Sequence, residues 1–391
     1  MRKWPEVSLG NHVDFIGGGT PSRDRPDYWG GNIPWASVKD LRNIYIDDTI
    51  ESITDAGLKN SAANFIPENT VIIASRVGLG KVAINRIPIA INQDLKALKP
   101  RGKDLLPRFL LFFFMTQAGE LEKAGVGATV KGLTIADYQR LKLHLPPLPE
   151  QQRIVKLLDE ADELRKLREQ ADKRSADLIP ALFEEMFGDP AKNPKGWPIK
   201  NTGELMSECD YGTSQKANEE GKGICVLRMG NVTIDGQLDL ASLKTVELSP
   251  SDLNKQLLKD GDVLFNRTNS RDLVGKTGMW DGRFEAVAAS YFIRLRFRAD
   301  NEHPQHFTTF MNLPFMKQRL AEIARGAVGQ ANINSKELKS IPMPVPPISL
   351  QQKFAARVSE LRDLESAQSA SRKNLDALFQ SMLHRAFEGE L

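Results

Sequence analysis

Cysteine is nearly missing from this chain of 391 residues: only Cys209 and Cys225 occur, and they form no CxxC spacing. Two buried thiols in a reducing cytoplasm are the expected reading, with a disulfide between them as the alternative. Long apolar runs are missing too. Leu110-Leu111-Phe112-Phe113-Phe114-Met115 is the strongest, far short of the roughly 20 residues a bilayer-spanning helix needs. It reads as the buried core of a helix. Met1-Arg2-Lys3-Trp4-Pro5 lacks the apolar stretch of a secretory signal. Charge of either sign is scarce in excess: the net value is +3, so nucleic-acid binding would need that charge gathered on one face. The 5 histidines show no HExxH spacing, and His303 and His306 have no cysteine near them, so no metal site is expected. What remains is 41% hydrophobic and 26% charged, the composition of a globular protein with room for two or three cores.

What the chain does contain, it contains twice. Leu145-Pro146-Pro147-Leu148-Pro149-Glu150-Gln151-Gln152 opens a charged, helix-favouring segment, and Val345-Pro346-Pro347-Ile348-Ser349-Leu350-Gln351-Gln352 opens another 200 residues later. The matching ends, Ala181-Leu182-Phe183 and Ala377-Leu378-Phe379, lie 196 residues apart, so the helices differ by four residues. A repeat of this size sets the architecture.

The segments between replay one order. In residues 1–145, Phe15 to Pro21 is a glycine-rich turn, Ile33 to Val38 and Thr70 to Ala74 read as strands, and Lys81 to Ile91 as another. Pro107 to Glu122 reads as a helix with Phe109, Leu110, Phe113 and Phe114 on one face. In residues 189–345, Gly212-Thr213 matches Gly19-Thr20, Ile224 to Met229 matches the Trp35 strand, and Asp262 to Phe265 matches the Thr70 strand. Gly275-Lys276 matches Gly80-Lys81, Ser290 to Phe297 alternates as a half-exposed strand, and Phe307 to Ile323 replaces the Phe-rich helix. Gly127 and Gly326 precede the two proline segments. The expected fold is α+β, with two similar bodies.

Leu157, Ala161, Leu164, Arg168, Ala171, Ser175, Leu178 and Leu182 follow a heptad seam, as do Phe354, Val358, Leu361, Glu365, Gln368, Arg372, Leu375, Phe379 and Met382. Neither helix buries its stripe alone, so an antiparallel coiled coil between them is expected. Helices of roughly 30–38 residues would run about 45–57 Å. Pro180 should break the first one near Ile179. The expected segments are 1–145 (first body), 146–188 (first helix), 189–345 (second body) and 346–391 (second helix), a pseudo-twofold internal repeat.

Catalytic motifs fail on spacing. Phe15-Ile16-Gly17-Gly18-Gly19 fits an adenosylmethionine loop, and Asn32-Ile33-Pro34-Trp35 and Asn312-Leu313-Pro314-Phe315 resemble an amino-methyltransferase motif. Yet Gly19 and Asn32 lie too close to hold the intervening elements of an α/β nucleotide fold. Ser270 to Thr277 is one residue short of a P-loop, with Ser270 where glycine belongs, and Gly278 to Gly282 cannot start the required helix. A hairpin turn is expected there, and a binding protein overall.

DNA reading needs cations for phosphates and amide or guanidinium groups for base edges. The second body offers Asn266, Arg267, Asn269 and Arg271 after its central strand, with Arg228 and Asn231 after another, then Arg294, Arg296 and Arg298. The first offers Ser75, Arg76, Lys81, Asn92 and Gln93 at corresponding places. Basic, amide-rich loops thus recur in both bodies.

With these residues in view, the chain resembles the specificity (S) subunit of type I restriction-modification enzymes over essentially its whole length. The resemblance rests on the paired Pro-Pro/Gln-Gln openings, the body-plus-helix duplication, and the ending Ala386-Phe387-Glu388-Gly389-Glu390-Leu391. The second opening departs from the first, with Ser349-Leu350 for Pro149-Glu150. The resemblance implies two target recognition domains on spacer helices and no catalytic activity or cofactor in this chain. It implies double-stranded DNA as one partner, read as a split target, and no membrane. Two methyltransferase subunits using S-adenosylmethionine would be further partners, with ATP- and Mg-dependent restriction subunits joined through them. Pro146, Pro147, Glu150, Gln151, Gln152, Pro346, Pro347, Gln351 and Gln352 would serve the partner contact. The specificity subunit of a type II-like bipartite enzyme, a DNA methyltransferase and a DNA-independent scaffold stand as alternatives.

Overall fold

The computed structural model describes residues 4–124, 133–219, 221–324 and 331–391. Gly127 and Gly326 lie outside them. The chain forms two compact units, Met1–Glu169 with Ala370–Leu391, and Gln170–Ser369. Each unit is a mixed α/β body plus stretches of both long helices.

In the first unit a five-stranded sheet runs in the order Val13–Gly17, Leu95–Pro100, Val71–Ala74, Val82–Asn85, Tyr45–Ile46. A four-stranded sheet runs Glu51–Ile53, Trp29–Ala36, Ile89–Ile91, Asn64–Ile66. The single strand expected over Lys81 to Ile91 is therefore two, one in each sheet. Asn85 makes the break: its buried side chain accepts from Thr70 N and donates to Pro67 O and Ile87 O. The helix Pro107–Ala124 buries every residue from Phe109 to Phe114, not one face alone. The central sheet covers one side and the long helices the other, with Phe109 4.8 Å from Phe387 and Phe112 6.4 Å from Phe379 between ring centroids. A helix walled on both sides reads as apolar all round.

The second unit repeats the plan. Its main sheet runs Met206–Tyr211, Phe292–Phe297, Val263–Asn266, Thr277–Met279, and a smaller one Lys244–Val246, Ile224–Leu227, Ala286–Ala288. Both copies place a parallel strand pair in the smaller sheet, Ala36 beside Ile91 and Leu227 beside Ala288. Backbone crowding fixes the turn: a Cβ on Gly18 would fall 2.2 Å from Ile91 O, and on Gly212 2.3 Å from Ala288 O. The backbone N–H groups of Gly19 and Thr213 donate to those same carbonyls. The true correspondence is thus Gly18-Gly19 with Gly212-Thr213, one residue from the sequence alignment. Gly80 and Gly275 match as expected, both at positive φ (87° and 80°).

Two further expectations change. The counterpart of the Phe-rich helix is split into Pro304–Asn312 and Pro314–Ile323, because Pro314 removes the donor and clashes with the preceding turn. In the Phe292–Phe297 strand, Phe292 to Leu295 are buried rather than alternately exposed and only Arg296 and Phe297 are half-buried, since both arginines face carboxylates. Arg294 pairs with Glu208 and Asp210 at 3.1 and 2.9 Å, and Arg296 with Asp262 at 2.6 Å.

The long helices are Leu148–Ser175, Leu178–Phe187 and Ile348–Phe387. The break falls just before Leu178, which leaves Pro180 in the first turn of the new helix, where its missing N–H costs nothing. Within the first unit the helices run antiparallel: Arg153 reaches Leu391 O, and Arg165 Nε lies 2.7 Å from Asp376 Oδ1. Within the second unit Ser175 Oγ donates to Gln368 Oε1 at 2.9 Å, and Phe183 and Phe187 meet Phe354. The polar middle of the seam is as read. Its first strand is not: Leu164 and Leu178 are exposed, while Ile154, Leu158, Ile179, Phe183 and Phe187 are buried. The helix ends pack against the bodies, and that packing sets which face is inward.

Candidate nucleic-acid interface

Strand register identifies equivalent positions in the two bodies. Ala74 pairs with Leu95, and Asn266 with Phe292, so the loops after the central strands begin at Ser75 and Arg267. Ser75 N donates to Asp94 O, and Arg267 N to Tyr291 O, each across the same gap.

The second body places Asn266 in the interior, 0% exposed, with Oδ1 accepting from Asn269 Nδ2 at 2.9 Å. Asn231 is also buried: its Oδ1 accepts from Arg228 N and its Nδ2 donates to Asp239 O and Ser242 O. Both side chains shape loops from within. Arg228 donates to Ser242 O at 3.3 Å, and exposed Arg271 to Ala321 O at 3.3 Å. Thr268 and Asn269 pair with Asn332 and Ala331, bringing a second segment to the rim. Arg267 lies with its guanidinium 4.8 Å from the centroid of the Tyr211 ring.

In the first body Ser75 and Asn92 are turned inward. Ser75 Oγ donates to Asp94 O, and Asn92 Oδ1 accepts from Asp94 N. Arg76, Lys81 and Gln93 are exposed. Arg76 approaches Asp94 at 3.6 Å, and the Gln93 amide oxygen accepts from the Thr20 hydroxyl. The matched lysines diverge: Lys81 is in solvent, while Lys276 is buried, donating to Met229 O and Val232 O. Arg294 and Arg296 are neutralised within the sheet.

Sequence reading missed Tyr211 and Tyr291, both 41% exposed beside Arg267. It also missed Lys317, whose Nζ donates to Gly275 O at 2.8 Å. Burial, with Lys276 nearby, pushes the Lys317 ammonium down to about 7. The Tyr211 phenol is desolvated, which raises it, but hydrogen bonds with Ser335 and the Arg267 charge outweigh this and hold it below its usual value. The apparent P-loop is a turn between Thr268–Asn269 and Thr277–Met279, and Asn312 of the other tempting motif clasps Thr277 N and O. Among the described residues no three His, Cys, Asp or Glu gather as a metal-binding group, and no helix is long and apolar enough to cross a membrane.

The proline openings divide by burial in the same way twice. Pro146, Gln151, Pro346 and Gln351 are buried, while Pro147, Gln152, Pro347 and Gln352 are exposed and Glu150 is half-buried. Gln151 Oε1 accepts from Leu106 N, and its Nε2 donates to Asp104 O and Pro146 O. Gln351 repeats all three with His303 N, Asn301 O and Pro346 O. Each glutamine bolts a helix start to its own body.

Known proteins share this plan. The family model described as "Type I restriction modification DNA specificity domain" matches residues 1–173 and again 194–374. The MjaIX specificity subunit of Methanocaldococcus jannaschii is 25% identical, over 92% of this chain and 87% of its own. The EcoKI specificity subunit of Escherichia coli K12 is 26% identical, over 92% of this chain and 82% of its own. A chain from a solved type I R-M system, described for complex assembly and conformational transition, superposes with TM-score 0.66 at 19% identity, covering 100% of this chain and 99% of that one. The S subunit from M. genitalium gives 0.57 at 15%, covering 98% and 96%. At those identities the two structures establish the fold. Matched twice by one family model along nearly its whole length, the chain belongs to the type I restriction-modification DNA specificity family.

Proposed function

We propose that this chain is the DNA-reading subunit of a type I restriction-modification assembly, located in the cytoplasm and without catalysis of its own. The observation that carries the reading is the duplication itself: one family domain occurs twice, and each copy is bolted to a long helix by the same buried glutamine. Two bodies of one fold with different loop chemistry suit a DNA target in two different halves. Residues 1–145 would read one and 189–345 the other. Arg76, Lys81 and Gln93, and Arg228, Arg267, Asn269 and Arg271, would be the groups that reach DNA. Ser75, Asn92, Asn231 and Asn266 would hold those loops in shape.

The helices would set the gap between the halves. Ile348–Phe387 has 40 residues, about 60 Å of helix at 1.5 Å per residue. Half-sites about one turn apart, roughly 34–36 Å, share one face of DNA. Leu164 and Leu364, 200 residues apart, are 52% and 58% exposed on the two helices. A repeated exposed leucine suits two copies of one partner, the methyltransferase subunits that would supply S-adenosylmethionine chemistry. Restriction subunits with ATP and Mg would join through them. Exposed Pro147, Gln152, Pro347 and Gln352 border those helix starts. Co-expression with the methyltransferase tests the reading: exchanging residues 1–145 for another body should change one half of the methylated motif and leave the other intact. A change in both halves would contradict it.

A further inference from the structure

The duplication compares two versions of one site within a single chain. Features common to both copies hold the fold, among them the crowded glycine turn, the positive-φ Gly80 and Gly275, and the buried glutamines. At the end of the main sheet the copies part. Where the second body has Tyr211, Arg267 and Tyr291, strand register puts Gly17, Ser75 and Asp94 in the first.

Tyr211 is held from several sides. Its backbone pairs with Ile293, its carbonyl accepts from Gln256 Nε2, and its hydroxyl donates to Ser335 Oγ and accepts from Ser335 N at 3.2 and 3.1 Å. Arg267 is fixed in turn: its N–H donates to Tyr291 O, and its carbonyl accepts from Ile333 N, both at 2.9 Å. The guanidinium over the Tyr211 ring makes no ion pair or hydrogen bond among the described residues, and its Nε is buried without a partner. Arg294 and Arg296, on the same sheet, are both paired with carboxylates, although Arg294 Nε is likewise buried without a partner. A planar cation braced on an aromatic plate with its donors unused fits a pair of acceptors in one plane. The O6 and N7 edge of guanine offers that pair in the major groove, and two phosphate oxygens offer it on the backbone.

We propose that Tyr211, anchored by Ser335, positions Arg267 to read one guanine in the half-site taken by the second body. This rests on the reading of the chain as a DNA-specificity subunit. Arg267 sets the specificity there, and Tyr211 is a positioning residue. The first body, with Gly17 and Ser75 at these positions, reads its half-site by other chemistry.

The test uses the full chain assembled with its methyltransferase partner and oligonucleotides carrying each base-pair change in turn across both half-sites. In the parent, replacing one G·C pair should weaken binding about ten- to hundred-fold. Arg267→Ala should become indifferent at that pair while every other position keeps its discrimination, and Arg267→Lys, a point donor without the planar fork, should keep only part of it. Tyr211→Leu should lose part of it at the same pair, and Tyr211→Phe, which keeps the plate, should retain most. Uniformly weaker binding in Arg267→Ala, restored by lysine, makes Arg267 a phosphate contact and overturns the assignment. So do unchanged discrimination, or discrimination lost at every position alike. A parent complex with no two-part preference would instead overturn the reading beneath it.

Discussion

Gln151 Oε1 accepts a hydrogen bond from Leu106 N at 2.9 Å, joining the start of a long helix to the loop that leads into the buried Phe-rich helix. The Gln351–His303 pair repeats it at 2.8 Å. Both glutamines are 0% exposed, so the bond is protected from water and each amide is fully engaged. The recurrent Gln-Gln is thus one structural residue followed by one exposed residue.

Gln351→Ala should therefore destabilise the chain by on the order of 3 kcal/mol, since it strands His303 N and two carbonyls without water. Gln352→Ala, at an exposed site, should stay within about 0.5 kcal/mol. Urea unfolding midpoints of the two variants check the contrast.

Lys317 makes stability depend on alkaline pH. Its ammonium titrates at about 7 when folded against an ordinary 10.5, mainly through burial. Between those values the unfolded chain binds more protons, so stability should rise with pH, by up to about 1.4 kcal/mol per unit. Lys317→Met should flatten that rise. Unfolding midpoints at pH 7, 8 and 9 measure it, and equal slopes in both proteins would contradict the assignment.

Asp235 sets an acid limit. Burial raises its carboxyl, but bonds from Thr233, Gln237 and Arg362 outweigh that and hold it below 3.8. Its contribution is present above 3.8 and fades as pH falls through the lower folded value. Asp235→Asn should lessen the loss of thermal stability seen between pH 5 and 3.

Leu164→Asp and Leu364→Asp sit on exposed helix faces and should change unfolding by less than about 0.5 kcal/mol. Each should weaken co-purification of the methyltransferase subunit if the leucines form its docking surface. Full recovery of the partner with both substitutions present would move the dock elsewhere.

Much of this was legible because it repeats. The paired Pro-Pro/Gln-Gln openings exposed the duplication, the β-branched Thr70 to Ala74 stretch marked a central strand, and Pro180 announced a helix break. Burial was harder to read. Arg294 alternates with apolar neighbours as a solvent-facing residue does, yet Glu208 and Asp210 come from a strand more than eighty residues away in sequence to neutralise it. Asn231 and Asn266 look like amide readers because nothing local shows that backbone groups consume the first and that the second is buried against the Asn269 side chain. Tyr211 carried no signal until register made it the second body's counterpart of Gly17. Leu164 fits a heptad, but the body rather than the partner helix decides which face of that segment is covered.

The helices are proposed to set the gap between the two half-sites, and altering them tests that reading most directly. Four residues inserted into each helix add about 6 Å, close to two base pairs at 3.4 Å each. Methylome sequencing of a strain carrying that variant with its methyltransferase should return both half-site sequences unchanged and a gap longer by about two base pairs. The parent motif with its gap unaltered would contradict the account.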